Sequence, residues 1–380
     1  MMSRRSKREL VEALRPRYLG AKRAEKQVML DELVATTSYH RKYAIRVLRH
    51  VPRAGARRKR PGRRAIYRGA VVVALEQIWE IYGRICSKRL HPYLSEAIKV
   101  LERCGELELS QEARQRLLAI SPATIDRCLR PVRVPARHGL STTKPGTLLK
   151  KGIPVRTFAD WNEDQPGFLE IDLVAHCGET TEGQFLNTLT CTDICTGWTV
   201  PMALPRRTQQ AVRDAIHHLR QRLPFALLGL DSDNGGEFIN DLLYRYCLDE
   251  KISFTRSRPY KKNDQAHVEQ KNWSVVRHTV GYDRFETDQQ LAILEGIYHD
   301  LQFYVNFFQP VLKLTAKERI GNRLLRKYDR AKTPYQRLLE RTDVPLADKA
   351  RLTHLYVQLN PASLRHRLDD QVADLWKIAR

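Results

Sequence analysis

From residue 10 to 50 the apolar positions return at helical spacing: Leu10 and Leu14, then Val28, Met29, Leu33 and Val34, then Tyr39, Ala44, Ile45 and Leu48. The pattern predicts one helix over 24–37 and a second over 38–50, with Ser38 as its cap. AIYRGAVVVALEQIWEIYG (65–83) and PYLSEAIKVLERCG (92–105) are longer amphipathic runs, and Ser110 and Ser121 stand where helix caps belong. A Pro-, Gly- and Lys-rich stretch without periodicity follows, and from Trp161 the rhythm changes to two. Leu169, Ile171, Leu173 and Ala175 alternate with Glu170, Asp172 and His176, which predicts a strand. FLNTLTCTDI and WTVPMAL predict two more strands, joined through Cys195-Thr196-Gly197. A helix over 208–223, a buried strand at FALLGLD (225–231), a helix at FINDLLYRYCLDE, a strand at ISFTRS and a long helix over 263–282 complete an α/β pattern. From about 311 the chain reads as three helices with loops.

These changes of rhythm divide the chain into a helix-turn-helix region at 1–52, a basic linker at 53–64 and a second helical, helix-turn-helix-like region at 65–131. A linker at 132–160, an α/β core at 161–310 and a mainly helical region at 311–380 follow. The expected architecture is multidomain, with all-α regions flanking one α/β core.

Charge changes this picture. The 380 residues carry 66 Lys and Arg against 43 Asp and Glu, a formal charge of +23. Residues 1–70 hold 21 of those cations and only 5 acids, so the excess is concentrated on the first helical region. A polyanionic partner follows, with nucleic acid first among the candidates. Arg41, Lys42, Arg46 and Arg49 would line the exposed face of the second helix in the pair. No apolar stretch is long enough to span a bilayer, and the start does not read as a signal peptide. Seven scattered cysteines without a CxxC give no zinc site and suit a reducing cytosol.

The candidate chemistry lies in carboxylates. LDSDNGGEF (230–238) places Asp231 and Asp233 at the end of a greasy strand, two residues apart and on one side of it. Asp172 lies on the polar side of the first strand. Glu269 shares a helical stripe with Trp273, Val276 and Val280, which is expected to face inward. Like charges gathered in a partly dry site repel one another, and a divalent cation relieves that repulsion. Hard oxygen donors select Mg²⁺ or Mn²⁺.

Exactness of spacing adds a resemblance. Asp172 on a first strand, Asp233 within S-D-N-G after a later strand, and Glu269 beyond 35 intervening residues form a D,D(35)E pattern. Pro259-Tyr260, Gln265, Val268-Glu269 and Asn272 fit the accompanying P-Y-x(4)-Q-x-x-V-E-x-x-N string. Over about 156–310 the chain resembles the DDE transposases of bacterial insertion sequences, whose catalytic core is of the retroviral-integrase type. The resemblance implies an RNase H-like core with Asp172, Asp233 and Glu269 as catalytic ligands of two Mg²⁺ ions, Mn²⁺ serving as substitute. It implies a transposase that binds terminal inverted repeats, cleaves the element's 3′ ends and joins them to target DNA, as at least a dimer on DNA, in a prokaryotic cytoplasm beside the nucleoid. Gln265 and Asn272 become expected DNA contacts, with Lys261 and Lys262 on the loop before them. The chain departs from retroviral integrases in lacking an N-terminal His-His-Cys-Cys module. Trp273 and Val276 stand where such integrases carry lysines, which leaves Lys271 and Arg277 to fill that role. Two alternatives stay open: a transposase-derived DNA-binding regulator without catalysis, and an RNase H-like nuclease that cuts without joining.

Overall fold

Local capping residues set most boundaries in the computed structural model, which describes residues 2–50, 66–133, 164–233, 235–257, 265–321 and 323–379. The chain divides into two compact units, 1–66 and 67–380.

The first unit packs α1 (Arg4–Gly20), α2 (Arg23–Thr37) and α3 (Arg41–Arg49). Val11, Tyr18, Leu30, Leu33, Ala44 and Leu48 form its small core. The sequence pattern makes Ser38 the cap of α3, but Ser38 closes α2 instead. It adopts a left-handed backbone with φ 57°, and its N–H reaches the Val34 carbonyl. The cap of α3 is His40, whose ring accepts from the Lys42 N–H at 3.3 Å. A three-residue turn joins α2 to α3.

The second unit begins with α4 (Ala70–Ile81), α5 (Ser87–Arg103), α6 (Gln111–Leu118) and α7 (Pro122–Leu129). Ser110 and Ser121 cap α6 and α7 as expected, accepting from Ala113 and Thr124. The sheet consists of β1 (Phe168–Ala175), β2 (Asn187–Asp193), β3 (Thr199–Leu204), β4 (Gly229–Ser232) and β5 (Ser253–Arg256). Its order is β3-β2-β1-β4-β5. β1 runs antiparallel to β2 and β2 to β3, while β4 is parallel to both β1 and β5. The parallel crossovers are made by helices, as they must be: α8 (Gln209–Arg222) precedes β4, and α9 (Asp241–Asp249) joins β4 to β5. This topology, with a three-stranded meander continued by two parallel strands, is RNase H-like.

The long helix expected over 263–282 is not uniform. It comprises α10 (Ala266–Lys271), a π-helical turn at Asn272–Arg277, and α11 (His278–Val280). A π turn accommodates an extra residue, so the i, i+4 relation fails there. The stripe of Glu269, Trp273, Val276 and Val280 is broken accordingly. Trp273 is 54 % exposed and Glu269 lies outside, while Val268, Lys271, Val275, Val276 and Val280 turn inward.

The helices before the sheet share its core. One apolar cluster runs from Leu75, Ile78 and Leu90 through Ile171 and Leu189 to Phe308 of α12 (Asp288–Phe308). Hydrogen bonds tie the layers, from the Tyr304 hydroxyl to the Ile81 carbonyl at 2.6 Å and from the Gln309 amide to the Tyr82 carbonyl at 2.8 Å. The C-terminal region holds the three expected helices, α13 (Pro334–Leu339), α14 (Leu346–Gln358) and α15 (Pro361–Lys377). It also holds an unexpected hairpin, β6 (Leu314–Ile320) and β7 (Arg323–Tyr328). Dense Lys and Arg hide the period of two in those strands.

Truncation tests this shared core. Removing residues 1–66 should leave a cooperatively melting protein, whereas removing 1–130 strips α4 to α7 from the core and should abolish the cooperative melt. Circular dichroism of both truncations is the check, and equal melts would contradict a shared core.

Candidate active site

Register decides which acids meet. In the parallel pair β1–β4, Glu170 lies opposite Asp231 and Ile171 opposite Ser232. Side chains alternate faces along each strand, so Glu170 and Asp231 form one row on a face of the sheet. Asp172 and Asp233, two residues on, begin the next row where β4 has just ended. Carboxyl ends of parallel strands are where α/β sheets place their sites.

The outer row carries the charge conflict. Burial pushes the Asp172 carboxyl up to about 7, and the neighbouring charge of Asp233 acts in the same direction. The Leu173 N–H, donating to its Oδ1 at 2.8 Å, pulls the other way, and Glu269 and Glu237 add repulsion. Burial raises Asp233 also, Glu237 adds to that, and the Gly235 N–H and Arg207 oppose it. The Gly235 N–H donates to Asp233 Oδ1 at 2.8 Å, closing the turn after β4. The charges of Asp233, Glu269 and Glu237 thus all push the Asp172 carboxyl in one direction.

Asp231 belongs to the inner row. It is fully buried, and the Thr255 hydroxyl donates to its Oδ1 at 2.7 Å.

Glu237 is an acid that spacing does not identify. It is 8 % exposed, paired with Arg207, and packs over Gly235, where an added Cβ would lie 2.5 Å from its carboxylate. It stands four residues after Asp233 in the same acidic turn, which is the signal the sequence offers; its burial is not encoded in any periodicity.

Among the described residues no three His, Cys, Asp or Glu side chains form a ready-made metal site. The donor set nevertheless fits a hard divalent cation. Asn272 donates its amide to Asp172 Oδ2 at 2.7 Å, yet its own Oδ1 is buried with no hydrogen-bond partner among the described residues. The hydroxyl of Thr190, opposite Asp172 on β2, is in the same condition. Repelling carboxylates beside unsatisfied oxygens form an environment short of positive charge.

The expected DNA contacts divide. Gln265 turns inward, its amide reaching the Asp231 carbonyl at 3.4 Å. Lys271 is 8 % exposed, and its amine is lowered to about 7, first by burial and then by Arg89 and Arg337. Asn272 holds Asp172. None of these three presents its polar group to an external surface. Arg277 also turns to the protein, donating to the Ala175 carbonyl at 2.7 Å. Lys261 and Lys262 lie outside the described residues. On α3, Lys42, Arg46 and Arg49 are exposed, while Arg41 is paired with Asp31.

No family model matches the sequence. The chain is 43 % identical over 329 residues to the uncharacterized protein y4rM of Sinorhizobium fredii, covering 86 % of this chain and 93 % of that protein. Among solved structures, the catalytic core domain of BIV integrase is 19 % identical and aligns with 46 % of this chain and 94 % of its own, with a TM-score of 0.29.

Asp172 yields a pH test. Its folded carboxyl keeps a proton up to about 7, against 3.8 ordinarily, so the folded state binds more protons than the unfolded state between those values. That contribution to stability falls as pH rises through the window. In metal-free buffer, the gain in Tm from Asp172→Asn should grow from pH 4 to pH 7 and level off above, by roughly 2–4 °C per kcal/mol relieved. Paired thermal melts across that range check it, and a difference that does not change with pH would contradict the assignment.

Proposed function

We propose that this chain, which belongs to one family with y4rM of Sinorhizobium fredii, is a DNA transposase that cleaves and joins DNA strands by phosphoryl transfer. The observation that carries the reading is the buried Asp172 carboxyl, raised to about 7 first by burial and then by the charges of Asp233 and Glu269. Structural acids on a surface would not be gathered in this way, since neither burial nor mutual repulsion favours it.

In this reading Asp172, Asp233 and Glu269 hold two Mg²⁺ ions, or Mn²⁺ in their place. Such a pair supplies activation of the attacking oxygen and stabilisation of the leaving one. The remaining work belongs to the chain. Asn272 fixes the rotamer of Asp172 through its amide, and the Gly235 N–H fixes Asp233. Arg207 neutralises Glu237, which keeps a fourth negative charge from adding its full weight to the site. The three-helix unit at the N-terminus carries the exposed cations Lys42, Arg46 and Arg49 on the second helix of its helix-turn-helix, where they would read or clamp the terminal repeats. Joining two ends in one event calls for at least two protomers on DNA.

Two experiments test this. Asp172→Asn, Asp233→Asn and Glu269→Gln should each lower Mg²⁺-dependent cleavage and joining of repeat-end DNA by at least about a hundredfold, while Asp231→Asn retains both. Loss in Asp231→Asn but not in Asp233→Asn would overturn the ligand assignment, and cleavage without joining in the wild type would make the protein a nuclease. Separately, replacing Lys42, Arg46 and Arg49 together by Ala should weaken end binding and flatten its salt dependence, by a slope of about 0.9 for each phosphate no longer neutralised. Fluorescence anisotropy at several salt concentrations reads this, and an unchanged slope would remove α3 from the DNA interface.

A further inference from the structure

We propose that Glu170 is a positioning residue for Glu269, capping from the adjacent strand the helix on which Glu269 stands. The proposal rests on the reading of Glu269 as a metal ligand and deepens it.

A helix leaves its first backbone N–H groups without intrahelical partners, and a side-chain oxygen at the cap position normally accepts from the second or third of them. The residue at the cap position of α10 is Gln265, and its side chain makes no capping bond. The same duty falls to Glu170. Its Oε2 accepts from the N–H of His267 and from that of Val268, both at 2.9 Å, which are the second and third residues of α10. The carboxylate is 1 % exposed, so these bonds form away from water and a helix N-terminus meets a negative charge.

Its place in the fold gives this cap a functional consequence. Glu170 and Asp172 are two residues apart on β1 and share a face. Glu269 directly follows Val268. One strand therefore carries a proposed metal ligand and the anchor of the helix that brings another. A second tie lies just beyond, where Asn272 of the π turn bonds Asp172 at 2.7 Å. Glu269 sits between the two ties, so the path from one ligand to the other runs through rigid, short connections. Its own side chain is exposed, which makes its placement depend on the helix beneath it. Nothing in a sequence pattern singles out Glu170, because a period of two marks it only as polar.

The test uses the full-length protein. In the metal-free wild type, the amides of His267 and Val268 should exchange with deuterium more slowly than those of Gln265 and Ala266. Glu170→Ala should speed exchange at the two capped amides at least tenfold, and Glu170→Gln, which keeps an acceptor but not the charge, should fall between. Half-saturation by Mn²⁺, followed by the paramagnetic resonance of the free ion, should rise roughly 10- to 100-fold in Glu170→Ala and less in Glu170→Gln. Unchanged exchange at the two amides overturns the cap. Changed exchange with unchanged Mn²⁺ half-saturation makes Glu170 merely structural and overturns its role toward Glu269. Should Glu170→Ala fail to fold, Glu170→Gln carries both measurements, and wild-type values in it overturn the proposal. A wild type that binds no Mn²⁺ would sink the metal-site reading and with it the link to Glu269, while exchange still decides whether Glu170 caps the helix.

Discussion

The parallel pairing of β1 with β4 is the constraint on which the rest of the site depends. Setting Glu170 against Asp231 commits the next positions on the same face, and those are Asp172 and Asp233. A slip of one residue would send either pair to the opposite face of the sheet. Register is held by burial on the opposite face, since Leu169 and Ile171 on β1 and Leu230 on β4 are almost wholly excluded from water. The apolar alternation of the strands thus fixes, without any polar contact, where the negative charge must accumulate.

That accumulation divides into two rows with different chemistry. The inner acids take hydrogen bonds from neighbouring elements: Asp231 Oδ1 from a threonine hydroxyl, Glu170 Oε2 from two backbone amides. The outer acids are hydrogen-bonded too, but burial and the neighbouring charge of Asp233 raise Asp172 to about 7. A buried carboxylate crowded by like charge favours either a proton or a cation. The difference between neighbouring aspartates in one short turn therefore comes from what lies opposite each on the adjoining strand and helix.

Much of this is legible in the sequence. Period-two alternation locates β1, β2 and β3. Ser110 and Ser121 cap where their positions imply. Other features are hidden for physical reasons. A π turn carries no residue signature, so a regular helical stripe puts Glu269 and Trp273 on the buried face when both lie outside. The same regular helix leaves Lys271 off that stripe, whereas packing turns it in. The β6–β7 hairpin is masked by its charge. The burial of Glu237 and the cap supplied by Glu170 are tertiary facts, since each depends on a partner far away or a turn that brings the chain back on itself.

The central claim is that Asp172, Asp233 and Glu269 together hold divalent metal. Anomalous diffraction from crystals of the protein grown with Mn²⁺ tests it most directly. The account predicts anomalous peaks coordinated by carboxylate oxygens of all three residues, with Asp231 uninvolved. Peaks bound elsewhere, or the absence of any peak at this locus in crystals soaked to saturation, would contradict it.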